Sequence, residues 1–347
     1  MNMKLLAVAV AAAACGTSAF AAEVYSGDSS SLSIGGHVSV GVGEYSSDDV
    51  RVDQVSPRIN VEGKQDIGGG VTVDAKGEWA LNMLNGGGTS MTTRLGYIGA
   101  SHDQAGRLVA GTQWSPYYDV GGVADLPIAF ANDFLYDYNL GTARANRMLS
   151  YRNSFALGDM GALNFGLAWQ GKRVVSSTED EVDDITNVVT RTSSSTTFDT
   201  RGQVALSMDI VGIGVGYAYT GGDVTDGGMT NNAQSHIVSL KYGSYGSGLY
   251  TAVVYGMNKH IYSGVDKSKQ LEALIAFGLG NGLNLSVNYE SEKDDDADMM
   301  MREESALQAE YNFSPKFRGF AGYQFDLNDD GGREKDDKWI VGARYFL

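Results

Sequence analysis

RINVEGKQDIGGGVTVDAKGEWALNM, residues 58–83, is two alternating runs joined by three glycines. Before the glycines, Ile59, Val61 and Gly63 alternate with Arg58, Asn60, Glu62 and Lys64. After them, Val71, Val73, Ala75, Gly77, Trp79 and Leu81 alternate with Thr72, Asp74, Lys76, Glu78, Ala80 and Asn82. A period of two places successive side chains on opposite faces of a strand. Each strand therefore has an apolar face and a face too charged to form a dry core.

The same period runs through Leu32–Val42, Leu163–Trp169, Ile213–Tyr219, Leu271–Phe277, Leu283–Tyr289 and Trp339–Leu347. It predicts about sixteen strands of roughly 9–11 residues, the length a tilted strand needs to cross hydrocarbon. The connections alternate in length. Short turns fall at 67–70, 102–106, 157–161, 209–212, 243–248, 280–282 and 312–316. Long polar segments fall near 44–57, 84–91, 115–146, 171–199, 220–234, 258–268, 291–303 and 326–338. That is an up-and-down meander with all long loops at one end, the external end of an outer-membrane barrel.

A soluble sandwich would press the apolar faces together and leave the charged faces in water. A barrel in a bilayer turns the apolar faces to lipid and the charged faces to a wet lumen, and closure removes the sheet edges. Uniform strands with Tyr and Trp at their ends favour the all-β transmembrane antiparallel barrel. About sixteen strands leave an aqueous channel.

The chain has 347 residues, 46 Gly, 4 Pro and a formal charge of −16, which argues against a nucleic-acid partner. MNMK, the apolar LLAVAVAAAA and Ala19-Phe20-Ala21 form an export leader, giving a cleaved signal peptide over 1–21 and a single barrel domain over 22–347. The apolar stretch is short for an anchor helix. The lone Cys15 lies in the leader, and AAAC lacks the larger aliphatic residue of a lipid-modified cysteine, so no disulfide is expected. Removing Lys4 with the leader takes the charge from −16 to −17.

Four segments, AEVYSGDSSSLSIGG, TRLGYIGASHDQAGRLVAGTQ, SYRNSFALGDMGALNFGLAWQGK and the terminal WIVGARYFL, resemble general (non-specific) Gram-negative outer-membrane porins. The resemblance runs with gaps from Ala22 to Leu347 and is most specific from Thr93 to Lys172. It implies a sixteen-stranded barrel, a homotrimer and passive diffusion of small hydrophilic solutes and ions. It also implies a third external loop folded into the lumen, its acidic residues facing basic wall residues at the narrowest point. On that resemblance, Asp125 of DLPIAF and Asp133 are the loop anions, and Arg58, Arg94 and Arg144 are the wall cations. The sequence departs from the pattern at Ile128, where a carboxylate is usual, and at Gly36, His37 and Gln113, where basic residues are usual. Alternation independently puts Arg58 and Arg94 on polar faces. The acidic balance leads to an expectation of cation preference. Expected partners are copies of the chain, outer-membrane lipid and lipopolysaccharide, the barrel-assembly machinery and the permeating solutes. No cofactor is expected.

Other features compete weakly. DLNDDGGREKDD, residues 326–337, resembles a calcium loop through Asp326, Asn328, Asp330 and Asp337, but its flanks read as strands and a solvated acidic loop fits better. His37, His102, His236 and His260 are scattered and belong to no catalytic motif, so the chain is not expected to be an enzyme; a barrel hydrolase would depend on His236 or His260. Tyr117, Tyr118, Phe130, Phe134, Tyr136 and Tyr138 crowd the third loop. They could form the aromatic ladder of a sugar-selective channel, or simply pack the loop against the wall. The external loops could also serve as receptors.

Overall fold

The computed structural model describes residues 21–84, 86, 90–182, 189–328 and 335–347. The leader with Cys15, and Asp330 of the acidic loop, lie outside them.

Sixteen strands among the described residues close into one antiparallel ring. In chain order they are β1 Ser30–Glu44, β2 Arg58–Gly68, β3 Val71–Leu81, β4 Met91–His102, β5 Gly106–Trp114, β6 Arg144–Ala156, β7 Gly161–Gln170 and β8 Val189–Ile210. They continue as β9 Ile213–Asp226, β10 Met229–Ser244, β11 Ser247–Lys259, β12 Lys267–Gly278, β13 Leu283–Asp294, β14 Met299–Ser314, β15 Phe317–Asp326 and β16 Lys338–Phe346. Each pairs with its chain neighbour, and β16 pairs with β1 through Val341↔Val42 and Tyr345↔Val38, which closes the ring. Three further strands, Ala22–Ser26, Arg51–Gln54 and Arg173–Val182, extend the ladder at its margins.

The burial pattern answers the question posed by the two-faced strands. Trp169, Leu240 and Val341 are 54%, 54% and 57% exposed on the outside, while Asp74, Lys76 and Glu78 are 6%, 8% and 1% exposed inside. Soluble monomers rarely expose apolar patches beyond a few hundred Å². Here the apolar band runs round the whole barrel, and hydrocarbon is the medium that suits it.

Ten of the sixteen strands outrun the expected 9–11 residues. Several predicted loops are paired strand: 173–182 pairs with 189–198, β9 and β10 reach a turn at 227–228, and β13 and β14 reach one at 295–298. Polarity ends the hydrocarbon span, not the ladder. Beyond the bilayer, cross-strand polar pairs take over, such as Thr225 Oγ1 to Thr230 Oγ1 at 2.8 Å and Asn232 Nδ2 donating to Asp223 Oδ1 at 2.7 Å. All seven short turns fall where the sequence places them.

The third loop, 115–143, opens with helix α1 (Pro116–Gly121). Ser115 caps it by accepting from Tyr118 N, and proline fills the first turn, where its missing N–H costs nothing. Two hydrophobic clusters join loop to wall. Tyr117, Val120, Ala124 and Leu135 pack on Ala218, Ile237, Val254 and Leu274, while Ile128 and Phe130 pack on Val55, Ala306, Phe320 and Ile340. Small wall residues make room for the loop: a Cβ at Gly216 would meet Val120 Cγ1 at 2.8 Å, and one at Gly322 would meet Phe130 Cδ2 at 2.9 Å.

Candidate pore constriction

The lumen face of β2–β4 carries the predicted cations. Arg94 Nε donates to Glu78 Oε1 at 2.8 Å, and Arg58 Nη1 stands 3.9 Å from the same oxygen. Arg94 owes its direction to a bulge. Glu78 pairs with Leu95 and Trp79 with Thr93, so Arg94 is the extra residue between them. Regular alternation from Leu95, which shares the face of Glu78, would have turned Arg94 to lipid. Its assignment to the lumen holds, but through the bulge and not through the simple period.

Arg144 begins β6 opposite Trp114. Its guanidinium lies 5.6 Å from the Trp114 ring centre and 4.6 Å from that of Tyr138, and it donates to the Tyr138 hydroxyl. It is within electrostatic reach of Arg94 and Glu78. The three predicted wall arginines thus gather around one buried carboxylate. His37 pairs in register with Arg58 and packs edge-on against Phe346, the ring centres 5.9 Å apart. Gln113, in a position where a basic residue is usual, is tied down by bonds to Val109 O and Met148 O and by one from Ser150 Oγ.

Across from them lies the loop. Asp125 accepts from the Tyr118 hydroxyl at 2.7 Å and sits within electrostatic reach of Arg58 and Asp133. Burial pushes its carboxyl up to about 6; the Tyr118 bond and Arg58 pull it down, and Asp133 pushes it up. Asp133 is exposed, and the cation that acts on it is Arg302, not the arginine cluster. The two predicted loop anions therefore face different cations.

Ile128, where an acidic residue was expected, is buried, and its N–H donates to Glu310 Oε1 at 2.9 Å. Glu290 Oε2 accepts from Asp133 N at 2.9 Å and Phe134 N at 3.2 Å. Gln308 accepts from Phe130 N, while Asn288 donates to Phe130 O at 2.7 Å. At the loop's start, Arg152 Nε donates to Asp119 Oδ2 at 2.6 Å. These wall clasps were missed, as was Arg344, which shares the lumen with Arg58 and bonds Ser39 Oγ at 3.3 Å. The signal was present. Arg344 alternates with apolar Tyr345 in WIVGARYFL, and Glu290 follows apolar Tyr289.

The loop aromatics mostly pack. Tyr117 is buried and bonds Ser235 at 2.7 Å, Tyr118 stacks on Trp114 at 4.0 Å, and Phe130 and Phe134 are buried; Tyr138 is 47% exposed. They do not form a ladder along the lumen. In the acidic loop, Asp326 accepts from Asn328 N and Asp336 N, and Asp337 accepts from Asp326 N and the Tyr323 hydroxyl. No cluster of three or more metal-ligating side chains occurs among the described residues.

Residues 7–347 match the family model described as Gram-negative porin. The chain belongs to that family. Among curated relatives, this porin is 28% identical to outer membrane protein S2 of Salmonella typhi, over 99% of its own length and all of the relative's. It is 25% identical to outer membrane porin F of the same organism, over 99% of each. Its fold matches the solved Salmonella typhi OmpF in complex with daunomycin, with a TM-score of 0.74 at 21% identity, covering 94% of this chain and 100% of that one. The porin is an outer-membrane channel. Porins are channels and not enzymes; here His236 lies against Tyr217 and Tyr219, and His260 Nδ1 stands 3.4 Å from Asp266 Oδ1.

Proposed function

We propose that this porin passes small hydrophilic solutes and ions by diffusion through an eyelet between Asp125 on the loop and Arg58, Arg94 and Arg144 on the wall, and that it prefers cations. The observation that carries the reading is the sharing of Glu78 by Arg58 and Arg94, with Asp125 in reach of Arg58. Opposed charges across confined water set up a transverse field that favours polar solutes over apolar ones, which must shed ordered water. The preference follows from what stands around the arginines. Glu78 partly neutralises them, while Asp125, Asp133, Glu290 and Glu310 line the loop and the wall behind it, and the mature chain carries −17 (−16 less the +1 of Lys4).

The domain layout is part of the proposal: a leader ending at Ala21, then one barrel, with strand pairing from Ala22. So are the homotrimer implied by the resemblance, the lipid and lipopolysaccharide around the apolar band, and insertion by the barrel-assembly machinery. Single-channel recording with a liposome-swelling series of sugars tests it. Conductance steps in threes and a smooth size cutoff are expected; saturation by one oligosaccharide would point instead to a selective channel.

A further inference from the structure

One register step to the external side of the row Glu272, Glu290 and Glu304 lies the pair Glu292 and Arg302, facing each other across β13 and β14. Arg302 Nε donates to Glu292 Oε2 at 2.9 Å, and its guanidinium carbon lies 3.9 Å from the centre of the Phe134 ring. Glu292 is 1% exposed and Arg302 is half-exposed. The guanidinium is therefore held flat on the loop, its Nε edge occupied by the carboxylate and a face turned to water. Beside it is a cavity of about 260 Å³ lined by Asp133, Phe134, Tyr136, Ile261, Tyr262 and Arg302. Tyr262 closes it from the neighbouring loop by donating its hydroxyl to Phe134 O at 3.1 Å. Asp133 contributes an exposed carboxylate that makes no ion pair within 4 Å among the described residues; its backbone N–H is separately held by Glu290.

We propose that this cavity is a subsite for small zwitterions, amino acids and dipeptides, which it holds and orients before they reach the eyelet. The inference rests on the pore reading above. The ligand carboxylate meets Arg302, the ligand ammonium meets Asp133, and the intervening carbons lie on the Phe134 and Tyr262 rings. Charge selects the class. A plain anion finds one half-neutralised guanidinium among Asp133, Asp137, Glu290 and Glu292. A plain cation pairs with Asp133 but leaves the open side of the Arg302 guanidinium without an acceptor. A zwitterion satisfies both ends without net repulsion. The volume sets the size, since drug-sized ligands occupy pockets of about 300–1,000 Å³.

The test is ionic-current block of the whole trimer in a planar bilayer, with three compounds of similar size added on the loop side. Glycylglycine carries both charges, N-acetylglycine only the anion and glycinamide only the cation. Glycylglycine is expected to block at concentrations about tenfold lower than either single-charged analogue, a difference that fits one added charge-assisted contact. Asp133→Asn should weaken its block about tenfold towards that of N-acetylglycine. Arg302→Gln would strand buried Glu292, so the double variant Arg302→Gln/Glu292→Gln is the second arm, with block weakened about tenfold towards that of glycinamide. Equal block by the three compounds in a conducting wild-type channel, or block unchanged in both variants, overturns the subsite and leaves the pore standing. A wild-type protein that does not conduct overturns the pore reading itself.

Discussion

Glu78 Oε1 accepts from Arg94 Nε at 2.8 Å, and the bulge that drops Arg94 between Leu95 and Thr93 is what makes that contact possible. The same oxygen stands 3.9 Å from Arg58. One nearly inaccessible carboxylate thus offsets the repulsion between two guanidinium groups and holds both on the same stretch of the lumen wall.

Glu78→Gln should weaken cation preference. A unit charge about 7 Å from a passing ion in water is worth about 0.6 kcal/mol, favourable for potassium and unfavourable for chloride, so removing it should lower the potassium-to-chloride permeability ratio about sevenfold. Arg94→Gln should raise it by a similar factor. Reversal potentials of the two variants in one salt gradient check both directions.

Asp125 gives the channel a pH dependence. With its carboxyl pushed up to about 6, it is ionised at pH 7.5 and neutral at pH 4.5, so cation preference should decline as pH falls through about 6. Asp133 and Arg58 face the same group, and Tyr118 bonds it. The linkage to stability has the opposite sense to that of an ion-paired aspartate. A raised folded value favours the folded loop most below pH 3.8, and that contribution is lost as pH rises through about 6. Asp125→Asn should flatten the selectivity profile between pH 4.5 and 7.5, which a pH series of reversal potentials reads directly.

Glu290 holds the loop tip by two backbone N–H groups. Glu290→Ala leaves both donors without this acceptor, at a cost of about 1–3 kcal/mol. Open-channel current noise should rise and the sugar size cutoff should broaden, as recorded by single-channel traces and liposome swelling.

Asp74 and Arg107 form a fork, Nη1 to Oδ1 at 2.6 Å and Nη2 to Oδ2 at 2.7 Å. A Cβ on Gly99 would meet Arg107 Nη2 at 2.6 Å, so that glycine leaves the fork its space. Asp74→Ala should destabilise the barrel by about 1–3 kcal/mol, below the figure for a fully buried pair because Arg107 keeps contact with lumen water. Urea unfolding of the refolded barrel measures it.

The barrel was legible because a bilayer crossing imposes alternation on every strand, and residues 58–83 carry that constraint with little noise. Strand ends were not, because outside the hydrocarbon no solvent penalty marks where pairing stops, and β9 and β10 continue through Asp223 and Asn232. In the candidate site, Arg58 was readable from phase alone. Arg94 was placed on the correct side, although the bulge that puts it there inserts a residue the sequence does not mark. The lumen side of Glu290 was readable from its alternation with Tyr289, but its clasp on the loop was not. Glu290, Gln308 and Glu310 bond the loop's backbone, and backbone acceptance leaves no pattern in the loop's own side chains. Asp133 was grouped with Asp125 on the resemblance, whereas the chain between them runs along the lumen wall, held by Glu310 and Gln308, and brings it to Arg302.

The reversal potential of the wild-type protein in a tenfold potassium chloride gradient at pH 7.5 tests the central claim most directly. The account predicts a potential whose sign shows potassium to be the more permeant ion. A potential favouring chloride would mean that Arg58, Arg94 and Arg144 prevail over Asp125 and the acidic wall, and would contradict it.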